Sequence, residues 1–325
     1  MLCDTLHATA PHAIEQAATL LRAGRLVAFP TETVYGLGAN ALDATAVARI
    51  FTAKGRPATN PVIVHVADIK HAKQLATDWP EAASSLAERY WPGPLTLVLP
   101  KAAAVPDIVT AGGPTIALRI PSHPVALALL RSCGLPLAAP SANRSTELSP
   151  TCAEHVQRGL ADRIDLILDG GPTTGGLEST VLDITTDPPT LLRPGLVTIA
   201  EIEAIIGPIQ RGGANDADQP ARSPGQLARH YSPRTQLTIV KNSQQHVQAL
   251  AASGVRIGWV THIDSGEVPG VSRVLLPVDP VSYSARLYAA LHDLDAASLA
   301  RIIVEPPPED ENWLAVRDRL RRAAN

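Results

Sequence analysis

The stretch Phe29–Val66, FPTETVYGLGANALDATAVARIFTAKGRPATNPVIVHV, constrains this chain more than any other. The apolar run Leu26–Phe29 has strand character and feeds straight into the polar turn Pro30–Thr33. Helical spacing then runs from Asp43, whose carboxylate suits the free N–H groups of a first turn, through Val47, Ile50 and Phe51. It stops at Lys54-Gly55, because glycine readily takes the left-handed conformation that closes a helix. Arg56 and Pro57 follow, then Asn60-Pro61, then the strand-like Val62–Val66 with His65 inside it. A strand, a turn, a helix and a strand in so short a span belong to a layered α/β fold.

Lys54 and Arg56 stand two residues apart just beyond a helix end, so they are poorly placed to face one another along a helix. In the irregular segment that Gly55 and Pro57 impose, both can point into one cavity. An anion with several oxygens fits there, since Arg offers a fork and Lys a point charge. Solvated cations favoured by the helix dipole fit the local sequence equally well.

Length and composition narrow the classes. At 325 residues, two domains are expected. Hydrophobic residues make up 45% and charged ones 18%, which indicates a globular protein with a real core. The net charge of −3 gives no global basic field, so RNA contact would need a local patch. Pro, Gly and charges interrupt each apolar run before membrane-spanning length. The start, MLCDTLHATAPHAIEQ, carries Asp4 and lacks an apolar centre, unlike a secretory signal. Cys3, Cys133 and Cys152 are odd in number and lack CxxC spacing, which points to reduced thiols in a cytoplasmic protein and away from zinc.

Along the chain, helices are expected over 11–23, 67–75, 81–90 and 123–131, and strands over 95–99, 115–120, 137–139, 166–168, 179–183 and 190–193. Thr151-x-x-Glu154 and Thr198-x-x-Glu201 read as capping boxes. The uneven alternation implies a mixed sheet. Residues 208–234, rich in Gly, Pro, Asn and Asp, read as a linker. From 235 onward, strands and helices alternate regularly, with Asn312 as the expected cap of the last helix. That pattern implies a small parallel sheet flanked by helices on both faces. No GxGxxG or GxxxxGK[ST] occurs in it. The expected division is 1–207, 208–234 and 235–325.

Several segments form an ordered set: Pro30-Thr31-Glu32-Thr33-x-Tyr35-Gly36-Leu37, Lys54-Gly55-Arg56-Pro57-x-x-Asn60-Pro61, His65-Val66, Trp91-Pro92-Gly93-Pro94-Leu95-Thr96, Arg119-x-Pro121, Pro140-Ser141-Ala142-Asn143, Glu178-Ser179-Thr180-Val181 and Arg193-Pro194-Gly195. The set closely resembles the YrdC-type domain of threonylcarbamoyl-AMP synthases, over about residues 10–205. The order of YrdC-type domain, linker and small Rossmann-like α/β domain resembles the two-domain form of that family. The resemblance implies an L-threonylcarbamoyladenylate synthase, a nucleotidyltransferase using L-threonine, bicarbonate and ATP with Mg2+. Its product would pass to a tRNA threonylcarbamoyl transferase complex, with weak tRNA contact at most and no membrane.

Such chemistry needs positioning and charge neutralisation more than a nucleophile. The resemblance implies Thr33, His65, Arg119 and Ser179 for threonine. For ATP it implies Lys54, Arg56, Asn60, Thr115, Ser141, Asn143 and Arg193, with Lys54 and Arg56 catalytic. His230 and Tyr231, at the end of Ser223–Pro233, are expected to touch nucleotide as part of a lid over the pocket. Read alone, Ser141 and Asn143 fit an ordinary turn, Arg119 a surface ion pair and His65 a structural role. Glu32 reads as either a magnesium-associated carboxylate or a turn residue and receives no role. Two rival readings are a related carbamoyltransferase and a double-stranded RNA-binding module built on Lys54, Arg56, Arg119 and Arg193.

Overall fold

The computed structural model describes residues 3–212 and 230–324. The chain divides into two compact units. The first holds Met1–Ser145, Pro150–Thr174 and the chain from Glu178 to the linker; the second holds the C-terminal part with Thr146–Ser149 and Gly175–Leu177. The division expected from sequence does not anticipate those two short segments. Thr146–Ser149 joins the second unit through backbone: Ser232 N–H donates to the Thr146 carbonyl at 2.9 Å.

The strands of the first unit are β1 (Asp4–His7), β2 (Val27–Phe29), β3 (Gly36–Asn40), β4 (Ile63–His65), β5 (Leu95–Pro100), β6 (Thr115–Arg119), β7 (Leu137–Ala138), β8 (Leu166–Asp169), β9 (Thr180–Asp183), β10 (Thr190–Arg193) and β11 (Gln210–Arg211). They form one sheet in the order β1-β8-β2-β3-β7-β4-β6-β5-β9-β10-β11. Its pairings mix parallel (β4 with β6, β5 with β9) and antiparallel (β5 with β6, β4 with β7), as the uneven alternation implies.

Side chains alternate across the central strands. Val64, Leu97, Leu99, Ile116, Leu118 and Leu182 enter the main core. Ile63, Val98, Ala117 and Val181 point the other way and form a separate small apolar cluster. This second face carries the site described below.

Local signals act as expected where the partner is near in sequence. Asp43 caps the helix Ala44–Lys54 by accepting from the N–H groups of Thr45 and Ala46, and Gly55 closes it at φ 61°. Thr198 and Glu201 form their capping box. Two expected caps do not form. Thr151 accepts no helix N–H; its own N–H donates to His155 Nδ1 at 3.2 Å, and Cys152 stands at the N-cap of Ala153–Leu160. Asn312 is not a cap either, because Asp310 accepts its N–H at the start of a short 3-10 turn.

In the second unit β12 (Leu237–Ile239), β13 (Ile257–Thr261), β14 (Val271–Leu275) and β15 (Arg301–Val304) form an all-parallel sheet ordered β12-β15-β13-β14. Val247, Ile257, Trp259, Val268 and Ile303 build its core.

Gly195 is required by close approach. A Cβ there would lie 2.2 Å from Thr180 N and 2.5 Å from the Ser179 carbonyl carbon, and that backbone cannot move without displacing β9. Gly195→Ala is therefore expected to destabilise the protein by about 1–3 kcal/mol. Gly159→Ala is the matched control, in a helix with nothing within 4 Å of the added carbon, and should be neutral or mildly stabilising. Denaturant midpoints of the two variants check this; equal midpoints would contradict it.

Candidate active site

Strand registers sort the site into two ends. β4 and β6 run parallel with His65 opposite Arg119 and Ile63 opposite Ala117. Leu97 pairs with Leu118 on the antiparallel β5, which brings Thr96 level with Arg119. Val64 pairs with Ala138 on antiparallel β7, so the chain leaving β7 reaches Ser141 beside the start of β4. Thr115 opens β6 on the same face as Arg119, four residues away or about 13 Å. The carboxyl ends of β4 and β6 thus carry His65 and Arg119. Their amino ends carry Asn60, Thr115 and the Ser141–Asn143 turn.

At the carboxyl end, Arg119 is buried and held on three sides. Its Nε donates to the Gly93 carbonyl at 3.1 Å and its Nη1 to Thr33 Oγ1 at 3.0 Å. Its Nη2 lies 2.7 Å from Glu32 Oε1. The other Glu32 oxygen accepts the Ser122 N–H at 3.1 Å. Burial alone would raise the Glu32 pKa, but the charge and hydrogen bond of Arg119 and backbone N–H donors hold it below the ordinary value of 4.5.

His65 is enclosed, with the Phe29 ring edge-on at 6.4 Å, and neither ring nitrogen has a hydrogen-bond partner. Burial, aided by the Arg119 charge, holds its pKa well below 6.5. A neutral imidazole keeps one donor and one acceptor available.

Beside this end, Ser179 Oγ lies 2.8 Å from Thr96 Oγ1. Arg193 follows an irregularity in the β9–β10 register and donates to the Ser179 carbonyl and hydroxyl, both at 3.1 Å. Arg193 therefore sits with Ser179, at the threonine-assigned residues, although its expected role is with ATP.

At the amino end, Lys54 Nζ donates to the carbonyls of Ser141 and Asn143, both at 2.6 Å. Arg56 donates to the carbonyls of Asn60 and Pro61 at 3.2 and 2.7 Å. Asn60 is buried, and neither atom of its side-chain amide has a hydrogen-bond partner. The Lys-x-Arg segment and the Ser-Ala-Asn turn are thus fastened to each other and to the entry of β4.

His230 and Tyr231 belong to the second unit. Tyr231, at φ 60°, packs its ring against Tyr288 at 5.9 Å and under the Arg319 guanidinium at 5.1 Å, with His230 edge-on at 4.0 Å. Most of the expected lid segment lies outside the described residues.

Sequence reasoning left Glu32, Thr31, Thr96 and Gly93 without roles, yet all four shape the carboxyl end of the site. Their motif positions were the available signal. Among the described residues, no group of three His, Cys, Asp or Glu could hold a metal ion.

Residues 19–195 match the Sua5/YciO/YrdC family model, described as telomere recombination. Residues 197–325 match the model of the threonylcarbamoyl-AMP synthase C-terminal domain. The threonylcarbamoyl-AMP synthase of Bacillus subtilis is 47% identical over 96% of this chain and 92% of its own. That of Pyrococcus abyssi is 45% identical over 96% and 94%. The crystal structure of P. abyssi Sua5 complexed with L-threonine superposes with a TM-score of 0.90 at 43% identity, covering 96% of this chain and 94% of that one.

The buried neutral histidine carries a pH signature. Below pH 6.5 the unfolded chain takes up a proton that folded His65 refuses, so stability falls as pH drops, by at most about 1.4 kcal/mol per pH unit for one group. Glu32, shifted down, acts in a lower window: its contribution is full above 4.5 and lost as pH falls through its folded value. His123 and His262 are shifted the same way as His65 and add to the slope, so the informative quantity is the difference on substitution. His65→Asn should flatten the stability profile between pH 6.5 and about 5. An unchanged profile would show that His65 is charged in the folded protein.

Proposed function

The chain belongs to the threonylcarbamoyl-AMP synthase family, and from that premise we propose that it forms threonylcarbamoyl-AMP from L-threonine, bicarbonate and ATP. The observation that carries this reading is the division of the site. Cation and amide groups stand at the amino ends of β4 and β6, and a neutral imidazole and a paired arginine stand at the carboxyl ends, about 13 Å away by strand rise. Two substrates laid along these strands would meet between the ends.

In this reading Arg119 receives the threonine carboxylate, and Thr33, His65 and Ser179 surround the remainder. The amine takes up bicarbonate, losing water, to give a carbamate. A carbamate oxygen then attacks the α-phosphorus and pyrophosphate leaves. Lys54, Arg56, Asn60, Thr115, Ser141 and Asn143 bind and orient the nucleotide, and Arg193 holds Ser179 beside the joining point. Mg2+ accompanies the triphosphate and neutralises part of its charge. The protein supplies positioning and fixed charge. The product is a mixed anhydride and needs an acceptor: the adenosine beside the anticodon of certain tRNAs, through a transferase complex. The free cysteines fit a reducing cytoplasmic setting.

Pyrophosphate release should require threonine and bicarbonate together, with alanine and valine much poorer than threonine, because a site built to bond a hydroxyl rejects analogues lacking it. Release that ignores the amino acid would sink the reading and return the RNA-binding or carbamoyltransferase alternatives. Arg56→Ala and Lys54→Ala should each lower turnover at least about tenfold with the fold retained by circular dichroism. Wild-type turnover in either would remove these residues from the site.

A further inference from the structure

Glu32 is a buried carboxylate that the proposed reaction leaves unused, and it stands against the arginine assigned to the amino acid. The hydrogen bonds around it have a definite polarity. Arg119 has five N–H donors. One goes to Gly93 and one to Thr33, and Nη2 faces Glu32 at 2.7 Å as an ion pair, which leaves at least one on each Nη. Thr31 donates its hydroxyl proton to the Val34 carbonyl at 2.7 Å. The 2.8 Å bond between Thr31 and Thr33 must therefore run from Thr33 to Thr31. Thr33 Oγ1 has given up its proton and accepts from Arg119, so only a lone pair remains for anything else.

The surroundings of the two free Arg119 donors are thus acceptors: the Glu32 carboxylate and the Thr33 oxygen. The ion pair itself carries no net charge, and His65 beside it is neutral. Glu32 stays ionised because Arg119 and the backbone outweigh its burial. His123, the other titratable group coupled to Glu32, is also shifted toward its neutral form by burial. This arrangement offers two donors for a carboxylate and two acceptors for an ammonium group, in a buried place where an uncompensated charge is strongly disfavoured.

We propose that Glu32 is the specificity-determining residue of the threonine end: it holds Arg119 with two donors free and makes the site accept the dipolar amino acid while rejecting simple carboxylate anions. The inference rests on the reading that threonine binds here. A bare anion would bring no donor for the remaining lone pairs of Glu32 and Thr33 and would add a negative charge beside Glu32. An amino acid supplies carboxylate and ammonium together. Exchanging Glu32 for an uncharged isostere leaves Arg119 as an unbalanced cation, so the preference should invert.

The test compares threonine with 3-hydroxybutyrate, which is threonine without its amine, by calorimetric titration of the full chain. Wild type is expected to bind threonine and not 3-hydroxybutyrate. Glu32→Gln should weaken threonine binding at least about tenfold and gain measurable 3-hydroxybutyrate binding, with ATP affinity within about twofold of wild type. Glu32→Asp, which keeps the charge with a shorter reach, should weaken threonine yet still exclude 3-hydroxybutyrate. Gained 3-hydroxybutyrate binding by Glu32→Asp overturns the charge argument, and it remains decisive should Glu32→Gln not fold. Threonine and 3-hydroxybutyrate affinities unchanged in Glu32→Gln overturn the proposal while leaving the synthase reading intact, as does an equal loss of threonine and ATP affinity, which would mark Glu32 as structural. A wild type that binds no threonine overturns the reading beneath it as well.

Discussion

A buried ammonium group ties the site together. Lys54 is 3% exposed at the end of its helix. A cation so far from water must be surrounded by acceptors, or the desolvation penalty would be several kcal/mol. The Ser141 and Asn143 carbonyls, 87 and 89 residues further along the chain, are two of these. Ser145 N–H in turn donates to the Lys54 carbonyl at 2.8 Å. The helix end and the turn after β7 therefore form one body. Moving either would strand a charge. Those two carbonyls tie the position of Lys54 to the shape of that turn.

The second constraint is strand alternation. One face of β4, β5, β6 and β9 is needed for the main core, so every second residue is free to point the other way. On β6 that places Thr115, Ala117 and Arg119 in a row; on β4 it places Ile63 and His65 beside them. A one-residue slip would send Arg119 and His65 into the core and Leu118 into the site, at a cost no such core could absorb. Packing of the apolar face thus fixes the position of the polar one.

The same reasoning explains what was legible in the sequence. Asp43, Gly55 and the Thr198–Glu201 box could be read because each acts on residues within one helical turn. The Thr151–Glu154 box satisfies the same pattern but fails because the His155 ring accepts the Thr151 N–H. β1 and β3 were invisible for different reasons. Asp4–His7 is a mostly exposed strand defined only by its pairing with Leu166–Asp169. Gly36–Asn40 holds two glycines and lacks the β-branched residues that mark a strand. The site was legible only as motifs. Local sequence gave no means to see that His65 and Arg119 share a register, or that Lys54 reaches Ser141. Those relations belong to the sheet.

The ion pair of Arg119 with Glu32 sets the charge of the carboxyl end of the strands before any ligand arrives. Arg56 stands two residues from Lys54, and backbone carbonyls are among the acceptors of both. Arg119 instead faces a carboxylate 2.7 Å away, so its charge is balanced before any ligand arrives. Balanced charge makes for weak capture of a simple anion and strong discrimination of a dipolar molecule, since both of its poles must find partners at once. Had Arg119 been left unpaired, any simple anion could compete for it. On the proposed reading, pairing Arg119 with Glu32 lets the carboxyl ends of these strands select a dipolar substrate by charge.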